Sequence, residues 1–324
     1  MIEGVKTVHL IGIGGVGVSG VARMLLAMGH RVTGSDVRES QLTEALRAEG
    51  AEIHIGHSAD YIDDVDLVIY STAVPETNPE LVAARERGVR VEHRSQGLAH
   101  ALAAHDRSVG VVGTHGKGTV SSMITWILEA AGQNPSFIIG GLLENFGKIN
   151  SRMTDGSLAV AEVDESDGSL RHVSPHVIVV NNLEADHLNY YDSLEHVQQT
   201  VVDALNANPN LERVIVNHDD PGARAIIPRL NAPVVTFGRT PGADYEATQI
   251  TTGLGPSTFT LIRRADDVVL GEVMLTLPGL YNLDNALGAT TLALTMGVSI
   301  EAIARAMPEF KGLENRFTVV DAGD

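Results

Sequence analysis

Val109-Gly110-Val111-Val112-Gly113-Thr114-His115-Gly116-Lys117-Gly118-Thr119 is the stretch whose reading decides how this chain folds. A short apolar, β-branched run leads in, and glycines follow where the backbone must turn tightly and approach a ligand. Beyond it, Val120, Met123, Ile124, Ile127, Leu128 and Ala131 recur at helical spacing, so a helix leaves the loop. Strand, glycine loop with one lysine, then helix is the layout of a phosphate cradle. Successive N–H groups and the positive helix end face the anion, and Lys117 adds a point charge. The spacing departs from the strict G-x-x-x-x-G-K-[ST] pattern, because Gly113 and Gly116 stand closer together. Gly118 follows Lys117 where a hydroxyl normally reaches Mg²⁺, and Thr119 comes one step later. The bland alternative, a glycine turn with an exposed lysine, has to be weighed against the rest of the chain.

Upstream, Thr7 to Ile11 reads as a strand that runs directly into Gly12-Ile13-Gly14-Gly15-Val16-Gly17. Val21, Met24, Leu25 and Met28 mark a helix face, and a second strand from Arg31 ends at Gly34-Ser35-Asp36. This βαβ unit carries G-x-G-x-x-G spacing with an acid at the end of its second strand. The amides of Gly14 to Val18 would take a nucleotide's phosphates, and Asp36 would accept from a ribose hydroxyl. A nicotinamide dinucleotide fits such a loop, and so does any nucleoside diphosphate. Alternation continues with a helix over 41–48, strands over 52–55 and 67–70, a helix over 79–87, a strand near 89–92 and a helix over 96–104. A doubly wound first domain over residues 1–106 is expected. Ser71 and Asn78 flank a loop on its ligand-facing edge, although both are common turn residues. Arg94 follows a strand end, where an isolated arginine reads as a solvated surface charge.

Downstream, Ser136 to Ile139, Leu158 to Ala161 and Val177 to Val180 read as buried strands. The second ends in Glu162-Val163-Asp164-Glu165-Ser166-Asp167, and the third in Asn181-Asn182-Leu183-Glu184-Ala185-Asp186-His187. Carboxylates and a histidine therefore arrive on the same strand edge as Lys117. One or two carboxylates suffice for a phosphate-bridging Mg²⁺. Spacing alone does not choose among Glu162, Asp164, Glu165 and Asp167, and the acid run also reads as a solvated loop. Helix and strand alternate to Phe237. Then 245–250, 258–262 and 268–276 read as β-ribbons, followed by helices carrying Leu283, Leu287 and Leu294 and spanning 300–307. Val319-Val320-Asp321 opens a further strand, so residues 316–324 are expected to form the hinge and start of a third domain after a central domain over 107–315.

At 44% hydrophobic and 20% charged, the composition is that of a globular chain able to bury proper cores. The formal charge of −18 leaves no general electrostatic footprint for nucleic acid. Cysteine is absent, which excludes disulfides, thiolate metal sites and a cysteine nucleophile. With no leader pattern and no run long enough to span a bilayer, the default expectation is a cytoplasmic protein without membrane insertion.

Together, Gly12-Ile13-Gly14-Gly15-Val16-Gly17-Val18-Ser19-Gly20 with Gly34-Ser35-Asp36, Gly113-Thr114-His115-Gly116-Lys117, the run from Glu162 to Ser169 and Asn182-Leu183-Glu184-Ala185-Asp186-His187-Leu188 carry a resemblance. In order and spacing they resemble the Mur ligases of peptidoglycan synthesis, most closely the branch that adds L-alanine to UDP-N-acetylmuramate. The resemblance implies an α/β chain: a Rossmann-like doubly wound N-terminal domain, then a P-loop-type central ATPase domain with a mostly parallel sheet and an added small β-sheet. It implies ATP and Mg²⁺ as cofactors and UDP-N-acetylmuramate and L-alanine as substrates. ATP would be held by Gly113, Thr114, His115, Gly116, Lys117, Gly118, Thr119, Asn282, Asn285 and Arg316. Lys117, Glu162 and His187 would be catalytic, with Thr119, Glu162 and His187 on the metal. Gly12, Gly14, Gly15, Val16, Gly17, Val18, Ser19, Asp36, Ser71 and Asn78 would hold the uridine substrate. Gly118, Tyr281 and Asn315 depart from the family's pattern. The chain alone, without the third domain, is expected to bind nucleotide and ligate poorly.

Overall fold

A computed structural model describes residues 1–164, 168–185 and 191–314. The first part runs β1 (Thr7–Ile11), α1 (Val16–Ala27), β2 (Arg31–Asp36), α2 (Gln41–Ala48), β3 (Glu52–Ile55), β4 (Leu67–Tyr70), α3 (Pro79–Glu86), β5 (Arg90–His93) and α4 (Arg94–Ala103). Its five strands are all parallel, in the order β3-β2-β1-β4-β5. Every residue of β1 is buried, as a central strand covered on both faces requires. Helix starts are locally encoded. Ser40 and Thr43 form a capping box on α2, and Asn78 caps α3 with Pro79 at its first position.

The second part follows as β6 (Arg107–Val112), α5 (Lys117–Ala130), β7 (Ser136–Leu143), β8 (Ile149–Arg152), β9 (Leu158–Glu162), β10 (Val177–Val180), α6 (Leu194–Ala207), β11 (Arg213–Asn217), α7 (Pro221–Ile226), β12 (Val234–Gly238), β13 (Tyr245–Thr251), β14 (Ser257–Arg263), β15 (Val268–Leu275), α8 (Leu280–Thr295) and α9 (Ile300–Ala306). These strands form one ten-stranded sheet, β15-β14-β13-β12-β11-β10-β6-β9-β7-β8. Its centre is parallel, and β8, β14 and β15 run antiparallel to their neighbours. The ribbons expected as an added sheet continue the large one through two parallel residue pairs, Phe237↔Tyr245 and Gly238↔Glu246. Their first turn ends in a bare tip where Leu254 is fully exposed.

Alternation along the strands divides the core. Val177 and Val179 of β10 pack with α5, α8 and α9, while Ile178 and Val180 face the other side. That second cluster is continuous with the first sheet, taking in Val8, Leu10, Met24 and Leu98. The two sheets therefore share a hydrophobic core. β8 was not anticipated, because Asn150-Ser151-Arg152 is short and polar and lacks an apolar alternation. Among the described residues, no helix is long and apolar enough to cross a membrane.

Candidate functional site

The strand order of the first sheet reverses between β1 and β4, so their following loops diverge and open a crevice at the carboxyl edge. Gly12 takes a φ of +75° and, with Ile13, donates its N–H to the Ser35 carbonyl, winding the loop back over β2. Gly14 donates to Asp36 Oδ2 at 2.8 Å, and Gly15 donates to the Gly12 carbonyl. The N–H groups of Val16, Gly17 and Val18 meet no acceptor among the described residues. They are the orphan donors of the first turn of α1. The amides left open to a ligand among the described residues are therefore three, not the five from Gly14 onward. Asp36, the expected ribose acceptor, spends one oxygen on holding the loop.

A cavity of about 530 Å³ opens over these amides. The first sheet contributes Gly12, Gly15, Val16, Gly17, Val18, Asp36, His57, Ser71, Asn78 and Arg94 to its wall, and the second Ile138, Gly140, Glu162 and Asp164. Gly14 and Ser19 lie outside that wall. Ser19 is fully buried and donates its hydroxyl to the Val16 carbonyl. Asn78 reaches the wall but is mainly a cap, its Oδ1 accepting from the N–H groups of Glu80 and Leu81. Arg94, expected as a surface charge, is instead partly buried at the start of α4. Its Nη2 donates to Asp164 Oδ2 at 3.1 Å, and a Cβ on Gly17 would stand 3.3 Å from its Nη1. It thus sits between the glycine loop and the acid run.

Beneath the cavity lies a buried carboxylate. Glu80 is fully buried, and its oxygens accept from Ser35 Oγ at 2.5 Å, His9 Nε2 at 3.1 Å, His57 Nδ1 at 3.0 Å and the Ser58 N–H. Burial disfavours its charge, but the hydrogen bonds from His9, Ser35 and His57 outweigh that and hold it below the usual carboxylate range. His57 is thereby fixed at the cavity wall.

In the second sheet the loop between β6 and α5 is pinned from β10. Thr114 N–H donates to the Asn182 carbonyl, and His115 N–H donates to Asn182 Oδ1 at 2.7 Å. Asn181 and Asn182 both return an amide N–H to the His115 carbonyl. Gly116 sits at φ +80°, where a Cβ would come 2.6 Å from Asn285 Oδ1. The N–H groups of Gly116, Gly118 and Thr119 meet no acceptor among the described residues, which suits an anion there. Lys117 bends over its own loop, with Nζ 2.7 Å from the Gly113 carbonyl. Asn285 accepts from Asn181, and Asn282 donates to the Pro278 carbonyl, leaving buried Oδ1 atoms of Asn181 and Asn282 without partners among the described residues. Asn285 therefore stands behind the loop as a buttress, while Asn282 is tied to the chain just before its own helix.

Glu162 ends β9 at the shared cavity, and its Oε2 accepts from the Gly140 N–H at 2.7 Å. Among the described residues, it alone of the expected ATP-side and metal-side residues lines the cavity. Thr119 is buried in the first turn of α5, while Glu165, Asp167, Asp186, His187 and Arg316 lie outside the described residues. Among the described residues, no three acidic or histidine side chains gather in a cluster able to hold a metal.

Models of the Mur ligase family catalytic domain and of the Mur ligase middle domain match residues 7–106 and 111–293. The UDP-N-acetylmuramate–L-alanine ligase of Syntrophotalea carbinolica is 40% identical over 313 residues, covering 97% of this chain and 68% of the relative. The chain belongs to the Mur ligase family. The ligase of the same name from Solidesulfovibrio magneticus is 42% identical, again over 97% of this chain and 67% of its own length. This Mur ligase chain thus spans about two thirds of the curated relatives it matches. Among solved structures, the UDP-N-acetylmuramate–alanine ligase of Thermotoga maritima matches with TM-score 0.83 at 29% identity, over 97% of this chain and 70% of that one. The UDP-N-acetylmuramate:L-alanyl-γ-D-glutamyl-meso-diaminopimelate ligase from Neisseria meningitides matches with TM-score 0.86 at 28% identity, over 96% and 99%.

Sequence reasoning took Arg94 for a surface charge and passed over His57 and Gly140 in this Mur ligase. Arg94 had a usable signal, since it follows directly on the carboxyl end of β5, the edge where an open α/β sheet binds ligands. His57 and Gly140 had none. They reach the wall only through folding of distant segments.

Proposed function

We propose that this Mur ligase joins L-alanine to the carboxylate of UDP-N-acetylmuramate at the expense of ATP. One observation carries the reading: a single cavity is walled both by the glycine loop of the first sheet and by Glu162 of the second. A sugar nucleotide whose diphosphate rests on Val16 to Val18 would then extend its acid end toward the edge where α5 presents Lys117. The γ-phosphoryl passes from ATP to a carboxylate oxygen and ADP departs. The amine of alanine then attacks the acyl carbon, an amide forms, inorganic phosphate leaves, and the amine's proton goes to solvent. Such transfer needs positioning and charge neutralisation rather than a protein nucleophile. The orphan amides of Gly116, Gly118 and Thr119 with Lys117 would hold the β- and γ-phosphates, and Arg94 would meet the substrate's anionic groups.

A magnesium ion fits the donors present. Glu162 Oε2 is oriented by Gly140, its other oxygen has no hydrogen-bond partner among the described residues, and hard oxygen donors suit that cation. We assign Glu162, Thr119 and His187 to it, where it would neutralise phosphate charge. The high TM-score with the tripeptide ligase favours a second reading, in which the same sugar nucleotide receives a peptide amine.

Thermal melts with UDP-N-acetylmuramate, Mg–ATP and NADH in parallel test the binding half, because a true ligand raises the midpoint with concentration. The first two should stabilise and NADH should not. Lys117→Ala should abolish the Mg–ATP response and keep that of the sugar nucleotide. Stabilisation by NADH alone would overturn the proposal. In a ligase containing this chain, phosphate release with L-alanine against the tripeptide separates the two readings.

A further inference from the structure

Asn150 lies on β8, the strand that carried no sequence signal, yet its side chain is spent wholly on the other sheet's helix. Its Nδ2 donates to the Val16 carbonyl at 2.7 Å and to Ser19 Oγ at 2.9 Å, and its Oδ1 accepts from Arg23 Nη1 at 2.6 Å. Residues 16, 19 and 23 form one stripe of α1, running back from the turn whose amides face the cavity. The side chain is fully buried, and each of its polar groups is matched. Gly20, in the middle of the same stripe, is an independent sign. Glycine inside a helix costs about 1 kcal/mol relative to alanine. Here a Cβ would stand 3.1 Å from Ile138 Cγ2 and 3.4 Å from Asn150 Nδ2, so its absence admits the hairpin.

The same hairpin reaches the second site. β7 pairs with β8, and its Gly140 N–H orients Glu162, where a Cβ would come within 2.8 Å of the carboxylate. We propose that Asn150 is a positioning residue for the sugar-nucleotide loop, and that the β7–β8 hairpin fixes the anion-binding turn of α1 relative to Glu162. The inference rests on the functional reading above, for it presumes that the α1 turn takes the diphosphate. Losing Asn150 removes one donor from the Val16 carbonyl, which keeps Ser19 Oγ within its own helix, takes from Arg23 Nη1 its 2.6 Å acceptor and lets the start of α1 shift, while the loop before α5 keeps its own pins from Asn181 and Asn182.

The test is titration calorimetry on the whole chain with UDP-N-acetylmuramate and, separately, Mg–ATP. Asn150→Ala should weaken the sugar nucleotide about tenfold, the range expected for losing one or two buried hydrogen bonds that tie α1 to the hairpin, and leave Mg–ATP within about twofold. Asn150→Asp keeps the shape but cannot donate to Val16. It should show the same split and serves if the alanine variant does not fold. An unchanged sugar-nucleotide affinity in a folded variant overturns the inference, as does an equal loss for both ligands, which marks a merely structural role. A wild-type chain that does not take up UDP-N-acetylmuramate overturns the functional reading instead, a result distinct from either.

Discussion

Gly116 cannot be replaced cheaply. Its φ of +80° is strained for any residue with a Cβ, at about 1–3 kcal/mol, and that atom would also meet Asn285 and Asn181. Gly116→Ala should therefore cut Mg–ATP affinity more than about tenfold while leaving sugar-nucleotide affinity intact, as read by calorimetry. Glu80 yields a different kind of prediction. Because folding lowers its pKa from an ordinary 4.5, it stabilises the native state fully above that value and loses the contribution as pH falls through the lower folded value. Glu80→Gln should lower stability at pH 7 by about 2–4 kcal/mol. Urea melts from pH 7 to 3 should show a shallower acid fall than wild type. At this scale the glycines and Lys117 were legible, since backbone strain and a lone cation announce themselves in a pattern. Glu80 was not, because its partners His9, Ser35 and His57 are scattered in the chain and only folding assembles them.

Elements were read well where a face repeats. The helix over Gln41–Ala48 and the strands Thr7–Ile11 and Val177–Val180 were expected with the bounds observed. Boundaries slipped where a side chain outside the pattern does the capping. α4 begins at Arg94 rather than Gln96, because the His93 ring accepts from the Ser95 N–H. β8 had no period to read; it is a strand because β7 offers an edge. Packing between elements was equally silent. Gly288 of α8 lies on the ring of buried Phe237, where a Cβ would stand 2.9 Å from Cζ. Helix propensity alone predicts that Gly288→Ala stabilises by about 1 kcal/mol. A fully enclosed ring cannot yield, and overpacking costs about 1–3 kcal/mol. A lower melting temperature is therefore expected, together with weaker Mg–ATP binding as Asn285, one turn away, is displaced.

For the molecule as a whole, the charge of −18 means that, on the proposed function, a few amides, Arg94 and Lys117 would draw in anions against an opposing field. The chain should pass through a heparin column unretained at physiological salt. Raising NaCl from about 20 to 150 mM should speed nucleotide association, measured by stopped flow, because screening weakens the repulsion. A basic nucleotide binder would show the reverse on both counts. The α/β alternation and the placing of ligand chemistry at strand ends were visible in the chain. The shared core was not, since apolar periodicity says that a face is buried and never what covers it.

The bare turn at Leu254 has a practical consequence. It lies at the end of the ribbons, toward the β15 margin of the large sheet, whereas the hairpin gripping α1 is at the β8 margin. With no thiol anywhere in the chain, Leu254→Cys would offer a unique attachment point for a dye or a surface. Chemistry done there touches neither nucleotide loop, so the protein comes ready for single-molecule work.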